Sequence, residues 1–454
     1  MNIYSILDFG AKPSETVLQT EYIQAAIDKC YLEGGGIVNI PSGTYLTGAI
    51  RIRSNIELHL EKGAKLLGSR NPEDYFCLQS DKLEPLPSEM LREAPWMHWM
   101  ERKEKTDFGY RRVPGSRWNC GLIKAVYAEN VTISGEEGSV IDGNDCYDEQ
   151  GEEHYRGPHG IHMFYSKNIT LCGYNMKNAS NWAHTFLYCN NIKMYEVVTE
   201  AGHDGFDAFQ SRNIKISNCK FYTGDDCIAG FANTNVHVVD TELNSACSAL
   251  RFGGVKVLIE RCHMYGPCKY LFRGSLTKEE KMAGAHPTLE GHRNNMLSAF
   301  TYYADASLPE SYRAGNIVIK DCSIDYADRF LHYNFSGNEV WQREQPLESI
   351  KFENIKATDV AMPLTAYGSE KVPIVLKMKN IDISFRKGCE NQCFMKLANY
   401  KIVMLKNIDI KNNNCAHLIQ TWSDRKIKIK NLKCLISKDK IIERTNEEFF
   451  AQSI

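Results

Sequence analysis

Hydrophobic and polar positions change rhythm once along this chain. Between Thr20 and Cys30 apolar residues recur at helical spacing, and Gly34-Gly35-Gly36 stops the segment. Residues 3–12 read as a short strand and turn ahead of it. From Ile37 onward the pattern is short alternating runs separated by turn residues, as in IVNIPSGTYLTGAIRIRSNIELHLEKGAKLLGS. Such alternation predicts strands with one buried face. A further helix is expected only in the last dozen residues, so the chain reads as all-β with a short N-terminal capping helix.

The alternating runs repeat. Asn168-Ile-Thr-Leu is followed by Asn191-Ile-Lys-Met, Asn213-Ile-Lys-Ile, Asn235-Val-His-Val, Lys256-Val-Leu-Ile and Asn316-Ile-Val-Ile, at intervals of 23, 22, 22, 21 and 60. Weaker copies follow near Ile350, Asn380, Asn407 and Lys426. A strand repeat of this length is too short for a propeller blade and has the wrong texture for a helical solenoid. It predicts a parallel β-solenoid, one domain over residues 1–454, whose coils stack so that residues one period apart form ladders. Cys219, Cys262 and Cys322 each fall six residues after a repeat start, which reads as an inward ladder of small buried thiols. The repeated asparagines are expected to satisfy backbone groups at turns.

Composition narrows the function. Lys+Arg 54 against Asp+Glu 56 leaves a net charge of −2, so there is no overall basic field for nucleic acid. No apolar run approaches a membrane span. Residues 1–8 lack the features of a secretory signal, the absence of Cys-x-x-Cys or zinc spacing argues against a structural metal, and 16 cysteines in so long a chain, several at one fixed repeat position, fit buried free thiols better than a disulfide framework. A cytoplasmic, reducing location is therefore expected, with no cofactor and no metal.

Two stretches interrupt the repeat. Residues 70–120 carry Trp96, Trp99, Arg102, Tyr110, Arg111, Arg112 and Trp118, and residues 275–315 carry His286, His292, Arg293, Tyr302 and Tyr303. Insertions in solenoids gather on one face and often shape a binding cleft. Their aromatics can stack on sugar rings, although packing onto the solenoid is the commoner use.

The chemistry concentrates in Gly202-His203-Asp204-Gly205-Phe206-Asp207 and Gly224-Asp225-Asp226-Cys227. Asp204 and Asp225 lie 21 residues apart, close to one coil, so Asp204, Asp225 and Asp226 should gather. One acid among crowded carboxylates tends to keep its proton while the others ionise, which separates an acid from a base. Strand alternation would turn Asp225 and Asp226 to opposite faces unless the chain bends, and Gly224 allows a bend. Asp207 is read as a turn-capping residue.

These motifs, with Asp8-Phe9-Gly10-Ala11, Ile40-Pro41-Ser42-Gly43-Thr44-Tyr45 and Trp182, closely resemble glycoside hydrolase family 28, the polygalacturonase-like right-handed parallel β-helices, from about residue 5 to about 275. The resemblance implies hydrolysis of a glycosidic bond with inversion. Asp225 would be the general acid, with Asp204 and Asp226 positioning and deprotonating water. The chain departs from the family in two places: Cys247-Ser248-Ala249 stands where the family has Gly-His-Gly, and Leu271-Phe272-Arg273 where it has Arg-Ile-Lys. Arg251 and Arg273, 22 apart, are expected to stack beside the acids and grip a uronate carboxylate or pair with an aspartate. Of His162, His184 and His203, at intervals of 22 and 19, at least two are expected to border the same cleft and to supply what the absent histidine did, His203 above all.

The implied partner is a uronic-acid-containing or pectin-derived oligosaccharide. The bulky insertions suggest exo action. Two other readings stay open: a polysaccharide lyase on the same fold, and a non-catalytic carbohydrate-binding helix.

Overall fold

The computed structural model describes residues 2–75, 117–151, 155–284, 294–305, 308–337 and 344–445. Helix α1 (Thr20–Leu32) buries Ile23, Ala26, Ile27 and Cys30 on one face and packs against the strand Gly36–Ile40, closing the first coil as the helical spacing predicts. Gly35 follows it at φ +106°, where an added Cβ would meet the Asn55 carbonyl at 2.2 Å. No residue with a side chain fits there.

The described residues form two compact units, Met1–Asp225 with Tyr270–Arg293, and Asp226–Lys269 with Asn294–Ile454. Each is a stack of parallel strands, and the chain is a parallel β-helix. In the first unit Val131, Ile169, Ile192 and Ile214 align across successive coils. In the second the same position runs Val236, Val257, Ile317, Ile350, Leu376, Val403 and Ile427. These inward ladders are the core, and the repeat period follows from them. Pairing Ile317 with Ile350, and Ile350 with Leu376, makes the later coils 33 and 26 residues long, which is why their copies look weak in the sequence.

The repeated asparagines do something other than cap turns. Asn55, Asn130, Asn168 and Asn191 all adopt left-handed φ between 56° and 61°. Each donates its side-chain amide to the carbonyl of the preceding one, at 2.8, 2.9 and 2.9 Å. The second unit repeats the ladder through Asn354, Asn380, Asn407 and Asn431. Asparagine is selected because it tolerates this backbone and its amide can both give and accept along the stack. Lys256 holds the same left-handed position at φ 58°, between Asn235 and Asn316 by register. Lys256→Asn is expected to raise stability by about 0.5–1 kcal/mol, seen as a higher denaturation midpoint at unchanged m-value.

Cys219, Cys262 and Cys322 are buried and free, as expected, among fourteen free cysteines in the described residues. Cys120 is disulfide-bonded, an exception to the buried free thiols that the cysteine spacing favours. A short helix that the apolar pattern does not reveal, α2 (Lys278–Ala283), is fixed by a capping box between Thr277 and Glu280 and ends at Gly284 with φ 65°. The helix expected in the last dozen residues lies almost entirely outside the described residues, which end with the strand Ile442–Arg444 and residue 445. Of the insertion residues, Trp96, Trp99, Arg102, Tyr110, Arg111, Arg112, His286, His292 and Arg293 lie outside the described residues.

Candidate active site

Where the strands of the first unit turn, they set polar residues at one corner. The strand Val198–Ala201 ends before the bend at Gly202–Gly205, and the strand Lys220–Thr223 ends before Gly224 and Asp225. Ala201 pairs with Thr223, so Asp204 and Asp225 occupy bends on neighbouring coils. Both have left the strand, so strand alternation does not constrain them. The Thr223 hydroxyl donates to the Asp225 carbonyl at 2.8 Å and fixes the bend. Gly224 is required for a different reason than a bend: a Cβ there would lie 2.1 Å from the Leu271 carbonyl oxygen and 2.5 Å from the Phe272 Cα. The segment carrying Arg273 passes directly over it.

Arg273 is 4 % exposed. Its backbone N–H donates to the Gly202 carbonyl at 2.7 Å, its Nε meets Asp145 Oδ1 at 3.2 Å, and its Nη2 donates to the Asp145 carbonyl at 2.8 Å. Its Nη1 is buried with no hydrogen-bond partner. His203 packs edge-on to Phe272 at 5.9 Å, and its Nδ1 is likewise buried and unpartnered. Burial, with Arg156, Arg273, Lys281 and His159 nearby, holds the His203 pKa well below the usual histidine range. The Lys281 ammonium, delivered by α2, is pushed down to about 8 by burial and by Arg273 and Arg156. Arg156 donates to Asn181 Oδ1 at 3.2 Å and lies 3.9 Å from Asp225 Oδ2. The Asn181 Nδ2, like Arg273 Nη1, is a buried donor without a partner. Donors left over in this number suit a ligand rich in acceptors and negative charge.

The other histidines divide. His162 lies on a ladder with Lys124, Thr185 and Asp207, contacts Asn119 Oδ1 at 3.1 Å and stacks on His159 at 4.6 Å. Burial and those cations hold its pKa well below normal. His184 does not border a cleft. It pairs with Ile161 and Phe206, and its two ring nitrogens meet the Tyr174 hydroxyl at 3.0 Å and the Gly205 carbonyl at 2.9 Å. Both nitrogens are used inside the coil, so His184 is a core residue. Asp207 is no turn cap either: it sits fully buried within the strand Phe206–Phe209.

In the second unit, Asp226 Oδ1 accepts from the Ser248 N–H at 3.0 Å, and Asp226 Oδ2 lies 3.8 Å from Arg251 Nη1. The Arg251 guanidinium also sits 5.0 Å over the Tyr303 ring. Asp226 is 1 % exposed, so Arg251 compensates a buried carboxylate. The 22-residue spacing from Arg251 to Arg273 is not a coil. Arg251 pairs with Ala229 and Thr301, whereas Arg273 belongs to a 3-10 turn, Arg273–Ser275, outside the strands.

Arg156, Asn181, Lys281 and Asp145 were not apparent from the repeat, because each lies in a bend or excursion rather than at a ladder position; His159 opens the strand His159–Phe164 in register with Gly121 but follows none of the repeat signatures. The Thr277-x-x-Glu280 capping signature was the one readable pointer toward Lys281. Trp118, 3 % exposed, packs on Trp182 at 5.1 Å and beneath Arg156 at 5.6 Å, so it supports the corner rather than offering a free stacking face. Tyr302 is also buried, its hydroxyl donating to the Pro346 carbonyl at 3.2 Å.

The fold and the corner together make this a parallel β-helix protein with carboxylates and cationic donors gathered at one bend. Residues 105–247 match the family described as glycosyl hydrolases family 28. Over 236 residues it is 25 % identical to a probable polygalacturonase of Vitis vinifera, covering 50 % of this chain and 43 % of that protein. Over 258 residues it is 26 % identical to an exo-poly-alpha-D-galacturonosidase of Dickeya chrysanthemi, covering 50 % and 41 %. The chain thus spans less than half the length of these curated relatives. Its fold is similar to that of a hyperthermoactive exopolygalacturonase from Thermotoga maritima, with a TM-score of 0.58, 17 % identity and coverage of 94 % and 92 %.

Proposed function

We propose that this chain is an inverting glycoside hydrolase acting from the ends of uronic-acid-containing, pectin-derived oligosaccharides. The observation that carries the reading is the group of Arg156, Arg273, Lys281 and His203 with Arg156 beside Asp225, and with unpartnered donors on Arg273 and Asn181. Such a corner favours a sugar carboxylate next to a carboxyl group. Asp225 protonates the glycosidic oxygen as the C1–O bond breaks. Asp204 and Asp226 hold a water and take its proton as the oxygen attacks C1 from the opposite side. The product is a hemiacetal of inverted configuration. Exo action is supported by the names of the Dickeya and Thermotoga proteins.

The test is cleavage of defined galacturonate oligomers followed by proton NMR of the first product formed. The expected result is a single terminal sugar with inverted anomeric configuration. An unsaturated product would replace hydrolysis by elimination, and equal release of internal fragments would remove exo action.

Lys281 adds a pH dependence. Its ammonium is charged below about 8, so affinity for an anionic substrate should be complete below that pH and fall as pH rises through it. In Lys281→Met the KM for an acidic oligomer should be higher at pH 7 and flat from 7 to 9. A wild-type KM that does not rise across that window counts against Lys281 as a substrate contact.

A further inference from the structure

The second unit carries another cation that the roles above leave unused. Arg329 pairs in register with Ser298, which pairs with Ser248, and His332 pairs with Thr301, which pairs with Arg251. Two parallel ladders therefore run from the Asp226–Arg251 pair to Arg329 and His332. Each crosses two strand spacings, about 10 Å. The side chains share one side of the sheet: the Ser248 hydroxyl meets Thr301 Oγ1 at 3.3 Å, and Arg329 Nη1 donates to His332 Nδ1 at 3.3 Å. Thr365 Oγ1 lies 2.7 Å from the same His332 nitrogen. Because a guanidinium can only donate, His332 Nδ1 accepts from Arg329.

Among the described residues Arg329 has no carboxylate in an ion pair. Its neighbour Asp328 is committed to Arg386 at 3.0 Å and to Asn295 at 2.5 Å. The Arg329 Nε and the Ser298 hydroxyl are buried without partners. Burial lowers the basicity of this guanidinium, the signature of a charge whose desolvation is only partly compensated. A protein retains such a group at a cost unless something else supplies the counter-charge.

We propose that Arg329, with His332 and Ser298, is a second carboxylate-binding point on the face that begins at Arg251, so that this face takes an acidic oligosaccharide presenting carboxylates to both arginines. The inference rests on the reading of the chain as a protein of acidic glycans and extends it from a single residue of sugar to a run of them. Tyr367 and Trp422, edge to face at 6.3 Å, lie on coils further along, since Asn334 pairs with Tyr367.

Calorimetric titration of the full chain with di-, tri- and tetragalacturonate, and with their methyl esters, tests this. Wild type is expected to gain affinity with length for the acids and not for the esters. In Arg329→Gln that gain should shrink by about tenfold or more, the size of one charge-assisted contact, with the melting temperature measured alongside. Arg329→Lys, which keeps the charge but loses the fork, should shrink it less, and it decides the matter if the Gln variant does not fold. An unchanged length dependence in either folded variant overturns the second point. If acidic oligomers bind in an Arg329-dependent way but none is cleaved, the hydrolase reading fails and the binding point stands.

Discussion

Asp225→Asn is expected to lower kcat by about 10²–10⁴-fold on natural oligomers, the range attributed to one positioned general acid, with little change in affinity. The substitution keeps the shape of the side chain. It sits in a bend whose geometry comes from the Thr223 hydroxyl and from the close passage of Leu271 and Phe272 over Gly224, not from the carboxylate itself. The side chain is one-fifth exposed, and Arg156 Nη2 lies 3.9 Å from its Oδ2. The acid role has a sharper signature than loss of rate. An aryl glycoside whose leaving group needs no proton should be cleaved by the variant with a far smaller deficit, whereas Asp204→Asn and Asp226→Asn should be equally slow on both substrates, because water activation does not depend on the leaving group. Equal deficits for all three variants on both substrates would remove Asp225 from the acid role.

The fold was legible because one backbone position recurs. The residue before each aliphatic run adopts a left-handed conformation, and asparagine meets that demand at low cost, so the period survives as a visible column of Asn even where core residues vary. The acids were legible for a related reason: Asp204 and Asp225 follow strands in register one coil apart. What the sequence could not convey was which side of the coil a histidine faces. His162 and His184 sit nearly a coil apart, yet His184 pairs with Ile161 while His162 pairs with Thr185. That is a slip of one residue, and one residue reverses the face. The cations were hidden more deeply. Arg273 and Lys281 come from an excursion that leaves the strands after Tyr265, so no spacing relates them to the ladders, and the 22 residues between Arg251 and Arg273 coincide with a period they do not share.

The second large effect separates scaffold from ligand contact at Arg273. The guanidinium and Asp145 are both about 95 % buried and meet at 3.2 Å, so Arg273→Met is expected to cost about 3–5 kcal/mol, mostly because a buried carboxylate loses its cation. A drop in melting temperature alone would not show that Arg273 meets substrate. Adding Asp145→Asn removes the stranded charge while keeping the shape of the side chain, and the double variant should recover a large part of the lost stability, as coupled buried pairs do in a mutant cycle. Binding should not recover with it. The repaired fold still lacks the Nη1 donor that is buried without a partner beside His203, so the KM for an acidic oligomer should remain raised by about tenfold or more, while that for its methyl ester changes little. Recovery of both stability and acid affinity in the double variant would make Arg273 a strut for Asp145 and nothing else, and the preference for a charged sugar would then have to come from Lys281 and Arg156.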